Sequence, residues 1–459
     1  MGLTHEVAKF IVAKGYRDFS GDETQAAKNL ILDAIGGMIA GAKEPATAIT
    51  IQFARDSGGA DECGILGAGV KTSLLNAALA NGTSCHSQEL EAIGLYTGSN
   101  PMTNIPVALN IAEKLKLSGK AVIEGTIIGV EVQTRLGIGG PGSFDRGFSS
   151  IPLYGSMGAA ASAAKMMNMN VLQVQHALGI GIVQCSGQQR QQGSMTHLLE
   201  SGIGCRNGVT AAMLANGGMT ADPDLIEGER GFYDLFCSGG RGYNHDKVAQ
   251  SLGNPFCVTG IFTKKYGCCF FSHRAMDALV QLLKEHRIRF EDVAGVDVDI
   301  PPFVASMLRY SEPRNGEEAK FSLEQALGSI LVDGKLDLPH TRPFNDAGAT
   351  DPRYQSARRM VKVTERKDWA GGRSVPWSTP VTVNLKDGRK FTQSVSADEL
   401  KGGGKYPLSR EELTGRYRAM VQGFLSSSQI DRSIELVSNL EDLDSVSELM
   451  KLATFGNSR

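Results

Sequence analysis

No window of this chain reaches the roughly 18 uncharged apolar residues that a membrane span requires, so no membrane association is expected. Neither sign of charge dominates: 47 Lys plus Arg face 49 Asp plus Glu, a net charge of -2, so neither a polybasic face for nucleic acid nor a globally acidic solvating chain is expected, and any charged patch is local. Paired CxxC spacing is missing too. The eight cysteines, Cys63, Cys85, Cys185, Cys205, Cys237, Cys257, Cys268 and Cys269, are scattered, which reads as reduced thiols in a cytoplasmic protein with no zinc site. Cys268 and Cys269 are adjacent and seldom could meet disulfide geometry. The opening MGLTHEVAKFIVAKGY has no uninterrupted apolar core of a signal peptide, and Glu6 stands where N-myristoylation wants Ser or Thr. No GxxxxGK[ST] occurs, and the glycine-rich Gly137 to Gly142 follows a helical stretch instead of a strand, against a nucleotide loop. Internal repeats and low-complexity linkers are lacking.

Glycine, by contrast, is abundant, at 55 of 459 residues where about 7% is ordinary. Hydrophobic residues make up 41%, enough for a substantial core, and the length predicts two or three domains at about 100–200 residues each. Apolar residues recur at helical spacing over Asp22–Ala42, Thr72–Gly82, Ile105–Leu117, Ala121–Leu136, Gly155–Met167, Val171–Val183 and Gly208–Ala215. Glycine inside a helix costs about 1 kcal/mol relative to alanine, so tracts such as Gly36-Gly37 and Gly155-Ser156-Met157-Gly158 imply close helix approach. The pattern changes near residue 255. A helix at His273–His286 precedes alternating runs at Val293–Ile300, Arg359–Thr364, Val381–Leu385 and Lys390–Val395, the last two joined by an Asp387-Gly388 turn. Helix returns after Ser409. The reading is a mainly α fold with an α+β second domain: residues 1–255 and 405–459 form a helical domain, and 256–404 the α+β part.

Three stretches carry chemistry. Asn81 to Glu91 brings His86, Glu89 and Glu91 within six residues after an apolar helix, a group that can move protons, or equally a helix end with solvated acids. Asn100 precedes Pro101 in a loop, where side chains can face a ligand. Gln188 to Arg206 holds His197 and Glu200 on one helical face, with Arg190 among four glutamines as donors for a carboxylate. Lys264 to His273 places Lys264, Lys265, Cys269 and His273 at the domain junction, where cations can meet an anion; singly, these are equally a solvated lysine pair and a helix-starting histidine.

At these stretches the chain resembles the MmgE/PrpD family, which includes 2-methylcitrate dehydratase, cis-aconitate decarboxylase and iminodisuccinate epimerase. The match runs through Asp33 to Gly36, Ala80 to Glu89, Ile105 to Leu109, Gly129 to Val132, Arg146 to Phe148, Gly158 to Ala160, Gly193 to Thr196, Glu227 to Phe232, Lys264 to His273 and Lys320 to Leu323. The resemblance implies a large all-helical domain built from both chain ends with a smaller α+β lid. It also implies a homodimer that binds a small di- or tricarboxylate between the domains without an organic cofactor; no metal site is expected.

The residues depart from the family pattern at several places. Its first acidic motif falls on Glu89 and Glu91, with Ala92 where a further acid is usual, and Ser99 to Pro101 has lost a histidine. Ser149 replaces a second histidine, His197 replaces a lysine, Glu200 a third histidine, Cys269 a fourth found in decarboxylase-like members, and Gln325 a frequent tyrosine; Lys264 is retained. The expected catalytic set is His197, Glu89, Lys264 and Tyr154. His86, Glu91, Asn100, Ser149, Arg190, Lys265, Cys269 and His273 are expected to bind substrate. His197 has the reference pKa nearest neutrality, which suits it to serve as acid or base without a large shift. The function expected is a cofactor-independent lyase, dehydratase or decarboxylase in type, that abstracts a proton α to a carboxylate. An epimerase using the same cleft and a catalytically silent ligand-binding homologue are the alternatives.

Overall fold

The computed structural model describes residues 2–94, 99–239, 241–334, 339–369, 378–403 and 405–455. It is 61% helical with a small mixed sheet in the C-terminal region, a mainly α fold with an α+β part. Two compact units result: Met1–Arg190, Thr196–Thr263 and Ser409–Arg459 make the first, Gln191–Met195 and Lys264–Leu408 the second.

In the first unit the longer helices of its N-terminal part are α1 Leu3–Ala13, α2 Gly21–Gly41, α3 Pro45–Ser57, α4 Leu74–His86, α5 Ile105–Leu115, α6 Gly119–Gly139, α7 Ser150–Met166, α8 Val171–Val183 and α9 Met195–Asn216. Local chemistry starts them. Ser20 and Glu23 form a capping box on α2, and Asn170 and Gln173 do so on α8. Small residues then let the helices close on one another: a Cβ on Gly158 of α7 would lie 2.8 Å from the Gly129 carbonyl oxygen of α6. Helices Arg410–Val421, Ser427–Ser438 and Ser447–Phe455 complete the unit from the other chain end, where Arg416 meets Asp33 of α2 at 2.6 Å.

Some boundaries depart from the periodicity. The pattern over Thr72–Gly82 ends early, whereas α4 continues to His86 because hydroxyls stand in for apolar side chains in the core. Thr83, Ser84 and Ser87 are buried and donate to the carbonyls of Leu79, Met38 and Thr83 at 2.9, 2.5 and 2.8 Å. Likewise α9 begins at Met195, well ahead of Gly208. The hairpin of β1 Cys63–Ile65 and β2 Val70–Thr72 and the bridge of β3 Ile93–Gly94 to β4 Ile261–Phe262 are too short to leave a period in the sequence.

The second unit holds α10 His273–Glu285, α11 Leu323–Asp333 and the strands β5 Val293–Ile300, β6 Val361–Glu365, β7 Ser378–Leu385 and β8 Lys390–Ser396, in the order β6-β5-β7-β8. The expected antiparallel hairpin is β7–β8. Unanticipated is the parallel pairing of β5 with β6, which the long connection through α11 permits. Val293, Val296, Val298 and Ile300 are buried, and α10 packs on β7 and β8.

Candidate active site

Two helix ends build the site in the first unit. The C-terminal turns of α4 cross the N-terminal turns of α9 through glycines: a Cβ on Gly82 would lie 2.8 Å from Cα of Gly202, and one on Gly202 would lie 2.3 Å from the Leu79 carbonyl oxygen. Ser201 ties the crossing by donating to the Gly82 carbonyl. One turn beyond Gly82 stands His86, and about one turn before Gly202 stand His197 and Glu200, so the backbone approach sets the imidazoles edge to face with ring centroids 4.8 Å apart.

Glu89 closes the group. Its φ of +52° is left-handed, a conformation costly for a residue with a Cβ, and it lies three residues past the end of α4. Oε1 of Glu89 lies 3.0 Å from Nε2 of His86 and 3.3 Å from Nε2 of His197. On the other side of His197, Nδ1 is 3.0 Å from Oε2 of Glu200. That carboxylate accepts from Ser149 Oγ at 2.7 Å and from the Gln188 backbone N–H at 3.3 Å, so it is fixed before any ligand arrives. Glu91 brings Oε1 to 3.9 Å from His86 Nε2 and lines a cavity with Asp33, Met102 and Arg416.

All these groups are buried, which decides their electrostatics. Burial by itself pushes the His197 imidazole down, but hydrogen bonds to Glu200 and Glu89, together with their charges, hold it up at about 10. His197 is therefore an imidazolium at neutral pH, bonded through both nitrogens, and not the near-neutral acid or base expected of an average histidine. In chemical terms the site is a stored proton between two carboxylates beside a second imidazole. One ring nitrogen from each histidine and one oxygen of Glu89, all within 4.8 Å of one another, also form a donor set of the kind that holds a metal ion.

The structure thus brings together His86, Glu89, Glu91, Ser149 and His197. Tyr154 stands apart, its hydroxyl donating to the Gly140 carbonyl at 2.6 Å and paired with Ser143 at 2.8 Å, while burial pushes the phenol well up. Asn100 is buried at the start of a 3-10 turn, its carbonyl accepting from the Thr103 N–H at 3.0 Å. Arg190 is exposed on the turn Gln189–Gln191. Within the second unit, Lys264 is buried, and Lys265 is committed to Asp277 at 2.5 and 2.6 Å instead of being open for a substrate. Cys269 donates its backbone N–H to Lys320 at 2.8 Å. His273 is held neutral by burial and by the charges of Lys264 and Lys265, which drive its pKa well below the ordinary value.

Two supporting residues escaped the expected site. Glu200, the group that orients His197, is signalled only by its spacing three residues on. Arg416 comes from the far end of the chain; besides its ion pair with Asp33 it donates to the Leu90 carbonyl at 2.8 Å, anchoring the residue after Glu89.

Residues 5–243 match the MmgE/PrpD N-terminal domain model and residues 266–442 the MmgE/PrpD C-terminal domain model. Similar proteins include cis-aconitate decarboxylase of Aspergillus terreus, 26% identical over 98% of this chain and 96% of that protein. The human cis-aconitate decarboxylase is 24% identical over 93% of this chain and 89% of its own length, and the mouse one 23% over 82% and 78%.

Proposed function

This chain belongs to the MmgE/PrpD family, and we propose that it is a lyase acting on a small di- or tricarboxylic acid, with decarboxylation of a cis-aconitate-like acid as the first reaction to test and dehydration as the second. The observation that carries the reading is the buried imidazole of His197 held between the carboxylates of Glu89 and Glu200, which favour its protonated form. Decarboxylation breaks a carbon–carbon bond and leaves its electron pair on the substrate, conjugated with the double bond of an unsaturated acid. A proton delivered to carbon consumes that pair as CO2 departs. His197 holds such a proton in a site from which water is largely excluded, and it recovers one from solvent after turnover.

In the elimination variant Glu89 accepts the α-proton and His197 protonates the departing hydroxide, so the same two residues exchange emphasis without new groups. Glu200, Ser149 and the Gln188 amide keep the His197 ring turned so that Nε2 faces Glu89. The decarboxylase names of the relatives favour a lyase over the epimerase reading.

Proton NMR of cis-aconitate and 2-methylcitrate incubated with the protein in deuterated water is the test. A new product carrying one solvent deuteron at carbon is expected from decarboxylation, and a new alkene from dehydration. His197→Gln is expected to lower kcat by about 10²–10⁴-fold. Thermal stabilisation by these acids with no conversion of either would leave the silent ligand-binding homologue, and full turnover in His197→Gln would remove the imidazolium from the mechanism.

A further inference from the structure

We propose that the His86, Glu89 and His197 cluster binds one divalent transition-metal ion of the zinc type, through Nε2 of each imidazole and a carboxylate oxygen of Glu89. Two imidazoles and a carboxylate are a borderline ligand set that suits such ions and not calcium or magnesium. The spacing fits as well as the chemistry. Ligands at about 2.0–2.1 Å from a tetrahedral zinc stand about 3.3 Å from one another. Here Glu89 Oε1 is 3.0 Å from His86 Nε2 and 3.3 Å from His197 Nε2, with all three donors inside 4.8 Å.

A surrounding shell supports one of these donors, His197. Metal-bound histidines typically give their other ring nitrogen to a carboxylate, which fixes the ring and strengthens the ligand. His197 has that arrangement: Nδ1 is bonded to Glu200, and Glu200 is held by Ser149 and the Gln188 amide. Glu91, with Oε1 3.9 Å from His86 Nε2, supplies a further carboxylate beside the donors. The donors come from the end of α4, the left-handed residue after it and the first turns of α9, which the Gly82–Gly202 crossing holds in place. Such a site is formed before the ion arrives.

The ion would release the Nε2 proton of His197 to solvent and take the nitrogen and the Glu89 oxygen that the lyase reading uses for proton transfer. On that reading, on which this consequence rests, bound zinc stops turnover.

The test uses the full chain, stripped with a chelator and desalted, then titrated with Zn²⁺ by calorimetry and with Co²⁺ by absorption spectroscopy. One equivalent is expected to bind. The Co²⁺ spectrum should show the visible bands of a four- or five-coordinate ion without the intense near-ultraviolet band of a thiolate ligand. His86→Gln and His197→Gln should lose the tight site, and Glu200→Gln should weaken it by about 10–100-fold. His176→Asn should leave it unchanged, since His176 bonds the backbone of Ala221 elsewhere in the first unit. Absence of stoichiometric binding, a thiolate band, or unaltered affinity in the His86 and His197 variants would each overturn the site. Should those variants fail to fold, ring-nitrogen NMR shifts of histidine-labelled wild-type protein decide it, because two and only two imidazoles should move on adding Zn²⁺. Turnover separates the two readings. Tight binding with no conversion by the stripped protein keeps the metal site and sinks the lyase, whereas conversion that one bound equivalent of Zn²⁺ does not slow overturns the metal at this cluster.

Discussion

Gly82 and Gly202 meet with no room for a side chain: a Cβ on the first would lie 2.8 Å from Cα of the second, and a Cβ on Gly202 would also lie 2.4 Å from Thr83 Oγ1. This crossing is what places the His86 ring against that of His197. Gly202→Ala should therefore destabilise by about 1–3 kcal/mol through overpacking and also lower turnover by spreading the imidazoles. Gly208→Ala, which crowds Ala159 farther along α9, should cost similar stability with less effect on turnover. Denaturation curves and steady-state kinetics of the two variants check this. Equal losses of turnover would mean that the crossing at Gly202 has no special hold on the site.

Glu200 tests the electrostatics. It is a leading contributor to holding the His197 pKa near 10, so removing its charge should lower that value. In chelator-treated protein, activity that depends on the imidazolium should persist to alkaline pH in the wild type and fail at lower pH in Glu200→Gln. Ser149→Ala should shift the alkaline limb less, because it loosens the carboxylate without removing it. A kcat against pH profile reads the shift directly, and coincident alkaline limbs would contradict it.

The two buried histidines give stability opposite pH dependences. Folded His197 keeps its proton to about 10, whereas an unfolded histidine releases it near 6.5; the stabilisation is complete below about 6.5 and is lost as pH rises through about 10. Folded His273 refuses a proton that the unfolded chain accepts below 6.5, so its effect is absent above that value and stability falls as the solution is acidified. Thermal melts between pH 5 and 10 should show both limbs. His273→Phe, in a pocket already lined by Tyr266 and Phe270, should flatten the acid limb alone.

Arg416 and Asp33 form a buried pair 2.6 Å apart that joins the two chain ends of the first unit. Arg416→Met leaves the Asp33 carboxylate and the Leu90 carbonyl without their guanidinium, and should cost about 3–5 kcal/mol. Adding Asp33→Leu should recover part of that loss, because it removes the stranded charge. Urea midpoints of the single and double variants check both statements, and an additive double variant would show that the pair is not coupled.

The elements differ in how far the amino-acid pattern alone reveals them. The alternation of Val293–Ile300 and the repeat of Val171–Val183 specify β5 and α8 to the residue, because each buries one continuous face against a period of two or of about 3.6. Helical spacing of apolar residues is enough for the mainly α class, and ordered motifs such as Asn81 to Glu89 and Lys264 to His273 are enough for the family. They also bring out His86, Glu89, Glu91, Ser149 and His197 as chemistry-bearing residues. Tertiary structure alone decides what those residues become. His86 and His197 face each other because two glycines let their helices touch. Glu200 becomes the partner of His197 because Ser149 and the Gln188 amide hold it there, and Arg416 reaches Asp33 from the opposite end of the chain. The protonation state of His197 follows the same rule, since a pKa reports burial and the charges a few ångströms away, which are properties of the folded space around a residue and not of its neighbours in the chain.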